Sequence, residues 1–401
     1  MEGIIIGLGS RGRLYTDILH NRNIKIKAVA DFYEDRRNLA KEKYGVEESM
    51  IFDNADDLLK LGKIADFAVI ATMDADHYHQ AMQAIELGYH LILEKPVCIT
   101  AQECKNLAEA ATAKGVKVIV CHVLRYTPFY NKIKEVVDSG VIGRIISISQ
   151  TENVGYWHQA HSFVRGNWAD TKKTTPMILA KCCHDMDIIR WLMDKSCVSV
   201  SSFGSLSYFT RENAPVGSAE RCVDCKVDCP YNALTFYGNP VRKGWLAMFS
   251  HGNPNAEEVL KTSPYGRCAF RCDNDAVDHQ VVNMLFEGGE TAQLTMTAFA
   301  YYPHRRLHIH GTLGDIEGVM EEGVIHINIY GQNPQSIDIK QIADDLSGHC
   351  GGDWRMVEDF ISALEGKTSR SLTDIKVSVE SHLMSFAAEE SRLNGGIPVQ
   401  I

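Results

Sequence analysis

The feature that most constrains this chain is a short β-branched run that ends in a glycine turn. Ile4-Ile5-Ile6 leads directly into Gly7-Leu8-Gly9-Ser10-Arg11-Gly12, which reads G-x-G-x-x-G. The stretch from Arg13 to His20 has no Pro or Gly and is compatible with a helix. An apolar β-branched run suits a buried parallel strand. Strand, turn and helix in that order is the context in which the motif carries meaning. Gly7 would allow the tight turn, Gly9 would let backbone amides approach a diphosphate, and Gly12 would let the helix sit close to the strand. The helix start offers unpaired N–H groups and partial positive charge to an anion. For an isolated motif, a glycine turn with no ligand is the plain alternative.

The next segment narrows that choice. Ile26-Lys27-Ala28-Val29-Ala30-Asp31 reads as a second strand ending in an acid. Asp31 follows Gly12 at close to the ~20-residue spacing of a ribose-binding carboxylate. A carboxylate there can accept both ribose hydroxyls of NAD and would repel the extra phosphate of NADP, so NAD is favoured. Arg36 and Arg37 read as exposed helix charges nearby. Apolar runs at 66–72, 91–94 and 117–121 add three strands, with helical stretches at 77–87 and 101–114 between them. This alternation predicts an α/β, doubly wound parallel sheet of the Rossmann type. Ligands then sit outside the carboxyl ends of the strands, where Thr72, Glu94 and His122 fall.

Composition limits the partners. Lys plus Arg total 41 against 51 Asp plus Glu, a formal charge of −10, so a phosphate backbone is an unfavourable partner and nucleic acid is not expected. No apolar run reaches the ~18–20 residues of a membrane span. The N-terminus shows no basic segment and no cleavage-site pattern, so the chain reads as cytoplasmic. Its 12 cysteines then call for a reading other than disulfides.

Glu94-Lys95-Pro96 marks one strand end. Pro96 fixes φ and ends the strand, and it biases Lys95 toward an extended conformation that aims its side chain across the crevice. Lys95 there can hold or help deprotonate a substrate hydroxyl. An exposed surface lysine is the commoner fate of this residue type. Taken together, Gly7 to Gly12, Asp31, Ala71-Thr72 followed by His77, and Glu94-Lys95-Pro96 resemble the Gfo/Idh/MocA family of NAD(P)-dependent oxidoreductases over the first ~120 residues. Met73 stands where that family often has proline.

The resemblance implies a Rossmann domain joined to an α+β domain with an open, mostly antiparallel sheet. It implies hydride transfer between a nicotinamide cofactor and a hydroxyl or ketone of a sugar, inositol or related polyol. It implies Gly7, Gly9, Ser10, Arg11, Gly12, Asp31, Thr72, His77, Glu94 and Lys95 as cofactor-binding residues. It also implies Lys95 and His184 as catalytic residues. His184 matches the family's catalytic histidine, at the start of the apolar helix 188–193. Asp187, three residues on, shares its helical face and would orient the imidazole. The family pattern has an aspartate four residues before the histidine. Here that position is Ala180, so His184 works without that partner or Lys181 replaces it.

The stretch from Asn153 to Trp168 is dense in aromatics and imidazoles. Tyr and Trp stack on the apolar face of a sugar ring, while His, Asn and Arg bind its hydroxyls or a carboxylate. Tyr156, Trp157, His158, His161 and Arg165 are therefore expected to line the cleft with Lys181. A polar loop with buried tryptophan anchors is the alternative. Arg125, just past the fifth strand, is a further substrate candidate at the domain junction, and equally a structural one.

Cys222-x2-Cys225-x3-Cys229 and Cys268-x3-Cys272 lie in one polar, turn-rich stretch at about 211–275. Thiolate pairs from two places in a chain are what a tetrahedral structural zinc requires, so four of these five cysteines are expected to hold zinc. Soft thiolates also suit iron–sulfur clusters. Such a site would staple an insertion with few apolar residues of its own. After it, strands at 277–286, 291–301 and 306–311 predict an antiparallel sheet, and 353–365 and 374–393 read as helices. The change from alternating to consecutive strands places the boundary between an NAD-binding domain at 1–122 and a substrate domain at 123–401. The resemblance to the Gfo/Idh/MocA family implies a homodimer or homotetramer through the exposed sheet face.

Three functions stay open. The leading one is an NAD-dependent dehydrogenase acting on a sugar-like alcohol. The second is a glycosidase that retains its NAD, oxidises a ring carbon transiently and lets the leaving group eliminate. The third is a non-enzymatic sensor of NAD or sugar.

Overall fold

The structure is a computed structural model that describes residues 1–401. The first sheet has six parallel strands: β1 (Glu2–Ile6), β2 (Lys25–Ala30), β3 (Ile51–Phe52), β4 (Phe67–Ile70), β5 (His90–Leu93) and β6 (Val118–Val120). Their order is β3-β2-β1-β4-β5-β6. The order reverses direction between β1 and β4, and a crevice opens at the carboxyl ends of those two strands. Both faces of the sheet are covered, which is why its strands read as unbroken apolar runs. On one face Ile5, Val29 and Val69 pack with Tyr15 and Leu19 of the helix Ser10–Asn21. On the other, Ile4, Ile6, Ala68 and Leu91 pack with Ala81 and Ile85 of the helix His77–Glu86.

The second sheet has nine strands: β7 (Ile145–Gly155), β8 (Cys197–Ser205), β9 (His279–Phe286), β10 (Thr291–Ala300), β11 (His304–Gly311), β12 (Gly314–Val319), β13 (Val324–Ile329), β14 (Gln335–Asp338) and β15 (Val399–Gln400). Their order is β14-β13-β12-β11-β7-β10-β9-β8-β15. Only the central β7–β10 pair is parallel; the remaining pairs are antiparallel. Alternation along β7 buries Ile148, Gln150, Glu152 and Val154 on one side. The helix Cys183–Met193 covers that side through Met186 and Ile189. The expected α/β plus α+β architecture is therefore the observed one.

The division at residue 122 is crossed on the way back. The helix Gly352–Leu364 was assigned by sequence to the second domain, yet Met356, Val357 and Phe360 belong to the core of the first sheet. Phe360 meets Phe67 of β4 edge to face, with ring centroids 5.2 Å apart. Farther on, Val120 N–H donates to the Thr373 carbonyl at 2.9 Å, and Ile375 and Val379 pack on the sheet's other face. The apolar stripe of a helix does not reveal which sheet it will cover.

Truncating Phe360 would leave a cavity against Phe67. Phe360→Ala is expected to cost about 3–5 kcal/mol, read as a shift in urea-denaturation midpoint. A loss below ~1 kcal/mol would mean that this helix does not pack on the first sheet.

Candidate active site

The glycine turn closes on itself. Gly7 has φ +87°, and a Cβ there would stand 2.6 Å from the Ala71 carbonyl oxygen. A Cβ on Gly12 would lie 1.9 Å from the Gly7 oxygen, so the helix can approach the strand only with glycine at that position. Gly9 is the N-cap of the helix Ser10–Asn21, which has no side-chain cap and no acidic residue in its first turn. Its first N–H groups have no side-chain acceptor, which fits them for a diphosphate. Ser10 is exposed at this end.

Asp31 is already engaged. Leu8 N–H donates to its Oδ2 at 2.6 Å and Tyr33 N–H to its Oδ1 at 2.8 Å. These bonds fix the carboxylate beside the turn and leave lone pairs for ribose hydroxyls. Arg36 and Arg37 are not free solvent charges. Arg36 Nη1 reaches Asp31 Oδ2 at 3.4 Å, and Arg37 Nη1 donates to the backbone oxygens of Asp31 and Phe32.

Several residues expected to touch the cofactor are engaged in bonds within the protein. Glu94 is 5% exposed. Its Oε1 accepts from Arg11 Nε at 2.9 Å and Tyr15 OH at 2.6 Å, and its Oε2 from Lys95 N–H at 2.9 Å. The Arg11 guanidinium also pairs with Asp353 at 2.7 Å. The side chains of Arg11 and Glu94 thus brace the loop rather than reach into it. His77 is buried, with Nδ1 2.7 Å from the Pro96 oxygen and Nε2 3.3 Å from the Thr72 oxygen. Thr72 Oγ1 donates to Gln80 at 2.7 Å. His77 ties the loops after β4 and β5 together.

Lys95 precedes a cis peptide bond to Pro96, and its Nζ donates to the Ala180 carbonyl at 2.8 Å. At the position where an aspartate was expected, the chain offers a backbone acceptor. Lys95 lies within electrostatic reach of His184, whose imidazole is held well below its usual pKa by burial and then by that lysine. His184 is thus a neutral base, 7% exposed, with Nδ1 buried and unpartnered.

The expected Asp187–His184 pair does not form. Asp187 instead takes Arg125 in a two-point contact, both bonds 2.6 Å long. Arg125 is 1% exposed, so it is a buried counter-ion and not a substrate ligand. His122, unassigned by sequence beyond its strand-end position, packs edge-on to His184 with centroids 5.7 Å apart. His122 is fully buried, with neither ring nitrogen hydrogen-bonded.

Lys181 replaces the missing aspartate only in part. Its Nζ is 3.7 Å from Glu152 Oε1. Glu152 also pairs with Arg305, which donates from Nε to Asp185 at 3.0 Å. Burial raises the Asp185 carboxyl to about 6. Alternation in β7 could have flagged Glu152 as inward-facing; nothing local to Arg305 or Asp185 could have.

The aromatic segment divides. His158 is half-buried. Burial, then Lys181 and His161, keep its imidazole neutral. Tyr156 and Trp157 are also half-buried, and Trp157 stacks on Phe236 at 5.7 Å. His161 and Arg165 are buried and bind the insertion instead of the cleft. His161 stacks on Tyr265 at 4.6 Å, and Arg165 donates to the Arg267 oxygen at 2.7 Å and to the Tyr231 oxygen.

The zinc expectation is corrected. No group of three or more His, Cys, Asp or Glu side chains is arranged to hold a metal ion. Cys222 Sγ donates to the Arg267 oxygen at 3.7 Å and Cys272 Sγ to the Cys268 oxygen at 3.3 Å. Arg165 Nη2 lies 3.8 Å from Cys222 Sγ, so a guanidinium occupies the thiol-rich region. Cys225 and Cys229 are half-buried. The insertion has an apolar core after all, in which Tyr237 and Leu260 are buried and Trp245, Phe249 and Tyr265 pack against them. Sequence reading missed it because these aromatics are spread among turn residues.

Comparison with known proteins agrees with the fold. Residues 2–122 match the family model GFO_IDH_MocA, described as an oxidoreductase family with an NAD-binding Rossmann fold. Residues 134–401 match that family's C-terminal alpha/beta domain. The chain is 26% identical to YteT of Bacillus subtilis over 356 residues, 84% of this chain and 81% of YteT. It is 30% identical over 203 residues to an inositol 2-dehydrogenase of Serratia proteamaculans, covering 49% of this chain and 55% of that enzyme. The WlbA dehydrogenase of Bordetella pertussis, solved with NADH and UDP-GlcNAcA, superposes with a TM-score of 0.72 at 16% identity. That match covers 100% of this chain and 97% of WlbA.

The buried imidazoles set a pH dependence. His161 and His382 are held down to about 3, mainly by burial. His382 accepts Val97 N–H at Nε2 and so stays neutral. The unfolded chain takes up protons below ~6.5 that these folded histidines refuse, so stability falls as pH drops from ~6.5, by up to ~1.4 kcal/mol per pH unit for each. Denaturant titrations from pH 7 to 5 are expected to show that loss, with a shallower slope for His382→Asn. A slope equal to wild type would contradict a neutral buried His382.

Proposed function

We propose, on the premise that the chain belongs to the Gfo/Idh/MocA oxidoreductase family, that it transfers hydride between NAD and a hydroxyl or ketone carbon of a sugar, inositol or related polyol. The observation that carries this reading is the Lys95–Ala180 contact at 2.8 Å. It sets the ammonium of the first sheet's loop beside the neutral imidazole of the second domain's helix.

Gly7, Gly9 and Gly12 with the N–H groups of Ser10 and Arg11 would hold the diphosphate, and Asp31 the adenosine ribose. When bound, the nicotinamide supplies the hydride acceptor. Lys95 then donates a hydrogen bond to the reacting oxygen, favouring its deprotonated form. Neutral His184 takes the hydroxyl proton in oxidation and returns it in reduction. General acid–base assistance of this kind contributes about 10²–10⁴-fold. Lys181 and His158 border the same space and would bind neighbouring hydroxyls or a carboxylate, with Tyr156 and Trp157 as flat walls. Asp31, fixed by two backbone amides, supports NAD over NADP.

We place the boundary of the cofactor domain at 1–122 and give 123–401 the substrate side. We propose a homodimer or homotetramer through the outer face of the second sheet. There Ile146, Phe203 and Leu285 are exposed, around a depression of about 500 Å³ lined by Ser147, Ser201 and Asn283 among others. A cytoplasmic location is supported by twelve free thiols; no helix is long and apolar enough to cross a membrane.

Lys95→Met and His184→Asn are each expected to lower kcat/KM by about 10²–10⁴-fold and to change NAD affinity less than tenfold, measured by steady-state kinetics and calorimetry. Product should appear with stoichiometric NADH. Release of an aglycone without net NADH would replace this reading with an NAD-retaining glycosidase. No turnover by the wild type, with NAD binding unchanged in both variants, would favour a sensor.

A further inference from the structure

The second domain touches both walls of the trough in which the adenosine half of the dinucleotide would lie. One wall follows β2. There His251, from the insertion, stands with Nδ1 3.7 Å from Asp35 Oδ2 and its ring centroid 5.2 Å from that of Tyr33. The Tyr33 ring lies over the Arg36 guanidinium at 4.5 Å, and Arg36 reaches Asp31. The four side chains form a continuous column from the insertion to the ribose-side carboxylate. His251 has φ +48° and Gly252 φ +86°. A non-glycine residue keeps that conformation only where its surroundings fix it.

The opposite wall follows β4. Asp74, 3% exposed, accepts at Oδ2 from Trp168 Nε1 at 3.0 Å and from Thr175 Oγ1 at 2.8 Å. Asn167 Nδ2 stands 3.6 Å from Met73 Sδ. A carboxylate with two donors from the other domain is a specific, charge-assisted anchor. One domain is thus pinned to the two sides of a single trough in the other.

We propose that residues 167–175 and His251 clamp the adenosine half of the bound dinucleotide, so that it leaves only when these contacts open. This rests on reading the glycine turn as an NAD site. The exposed His251 ring would stand beside the adenine, and the insertion thereby becomes part of the cofactor site.

The test is release of NADH from the full-length protein, followed by its fluorescence after mixing with excess NAD. His251→Ala and Trp168→Phe are each expected to speed release by about 3- to 10-fold, the effect of losing one contact. They should weaken ADP-ribose, which carries only the adenosine-diphosphate half, by a similar factor. Val216→Ala, on the insertion and 99% exposed, should release NADH at the wild-type rate. Asp35→Asn serves in place of any variant that fails to fold. Wild-type release rates in the folded clamp variants, or unchanged ADP-ribose affinity, would overturn the clamp while leaving the NAD site standing. A wild-type protein that binds neither NADH nor ADP-ribose would overturn both.

Discussion

The hydrogen bond from Lys95 Nζ to the Ala180 carbonyl is the contact on which the rest of the site depends. It joins the loop after β5 to the turn preceding the helix Cys183–Met193, and so fixes the reacting edge of one domain against the other. Its lysine end is braced from behind. Glu94 holds the Lys95 amide, Arg11 and Tyr15 hold Glu94, and Asp353 holds Arg11. This chain begins in the glycine turn and ends in the helix that covers the first sheet. A displacement of any member would move the ammonium, and a shift near 1 Å in a reacting group is costly to rate.

Around this contact Arg125 and Arg305 are buried with carboxylate partners, and the buried imidazoles of His122, His184 and His382 are held neutral by burial. Arg125 takes Asp187, and Arg305 takes Asp185 and Glu152. Leaving one of these charges unpaired would cost several kcal/mol, which accounts for the engagement of Arg125 and Asp187 with each other instead of with substrate and His184. Neutral His122 stands edge-on between His184 and His382, with centroids 5.7 and 5.3 Å away. Lys95 therefore stands beside an uncharged imidazole, that of His184.

The first sheet was legible because its signals are local. The three glycines, Asp31 and Glu94-Lys95-Pro96 each state a backbone requirement within a few residues. Helix 353–365 was legible as a helix, but its packing on the first sheet was not, since an apolar stripe carries no address. Strands β8 and β12 are poor in apolar residues, with serines filling much of β8 and Gly314 and Gly318 standing in β12. Arg125, His161 and Arg165 were the right residue types for a cleft, and only their tertiary partners reveal them as internal supports. The cysteines misled for a similar reason. Spacing suggests a shared metal, while Arg165 lies against Cys222 and no set of three or more side chains is arranged to hold one.

The central claim is that Lys95 and His184 act on one substrate carbon. The most direct measurement is a crystal structure of the protein with NAD and a bound polyol. One hydroxyl oxygen is expected within ~3.5 Å of both Lys95 Nζ and a His184 ring nitrogen, with its carbon facing the nicotinamide. A polyol bound with its nearest hydroxyl touching neither side chain, or a nicotinamide directed away from Lys95, would contradict it.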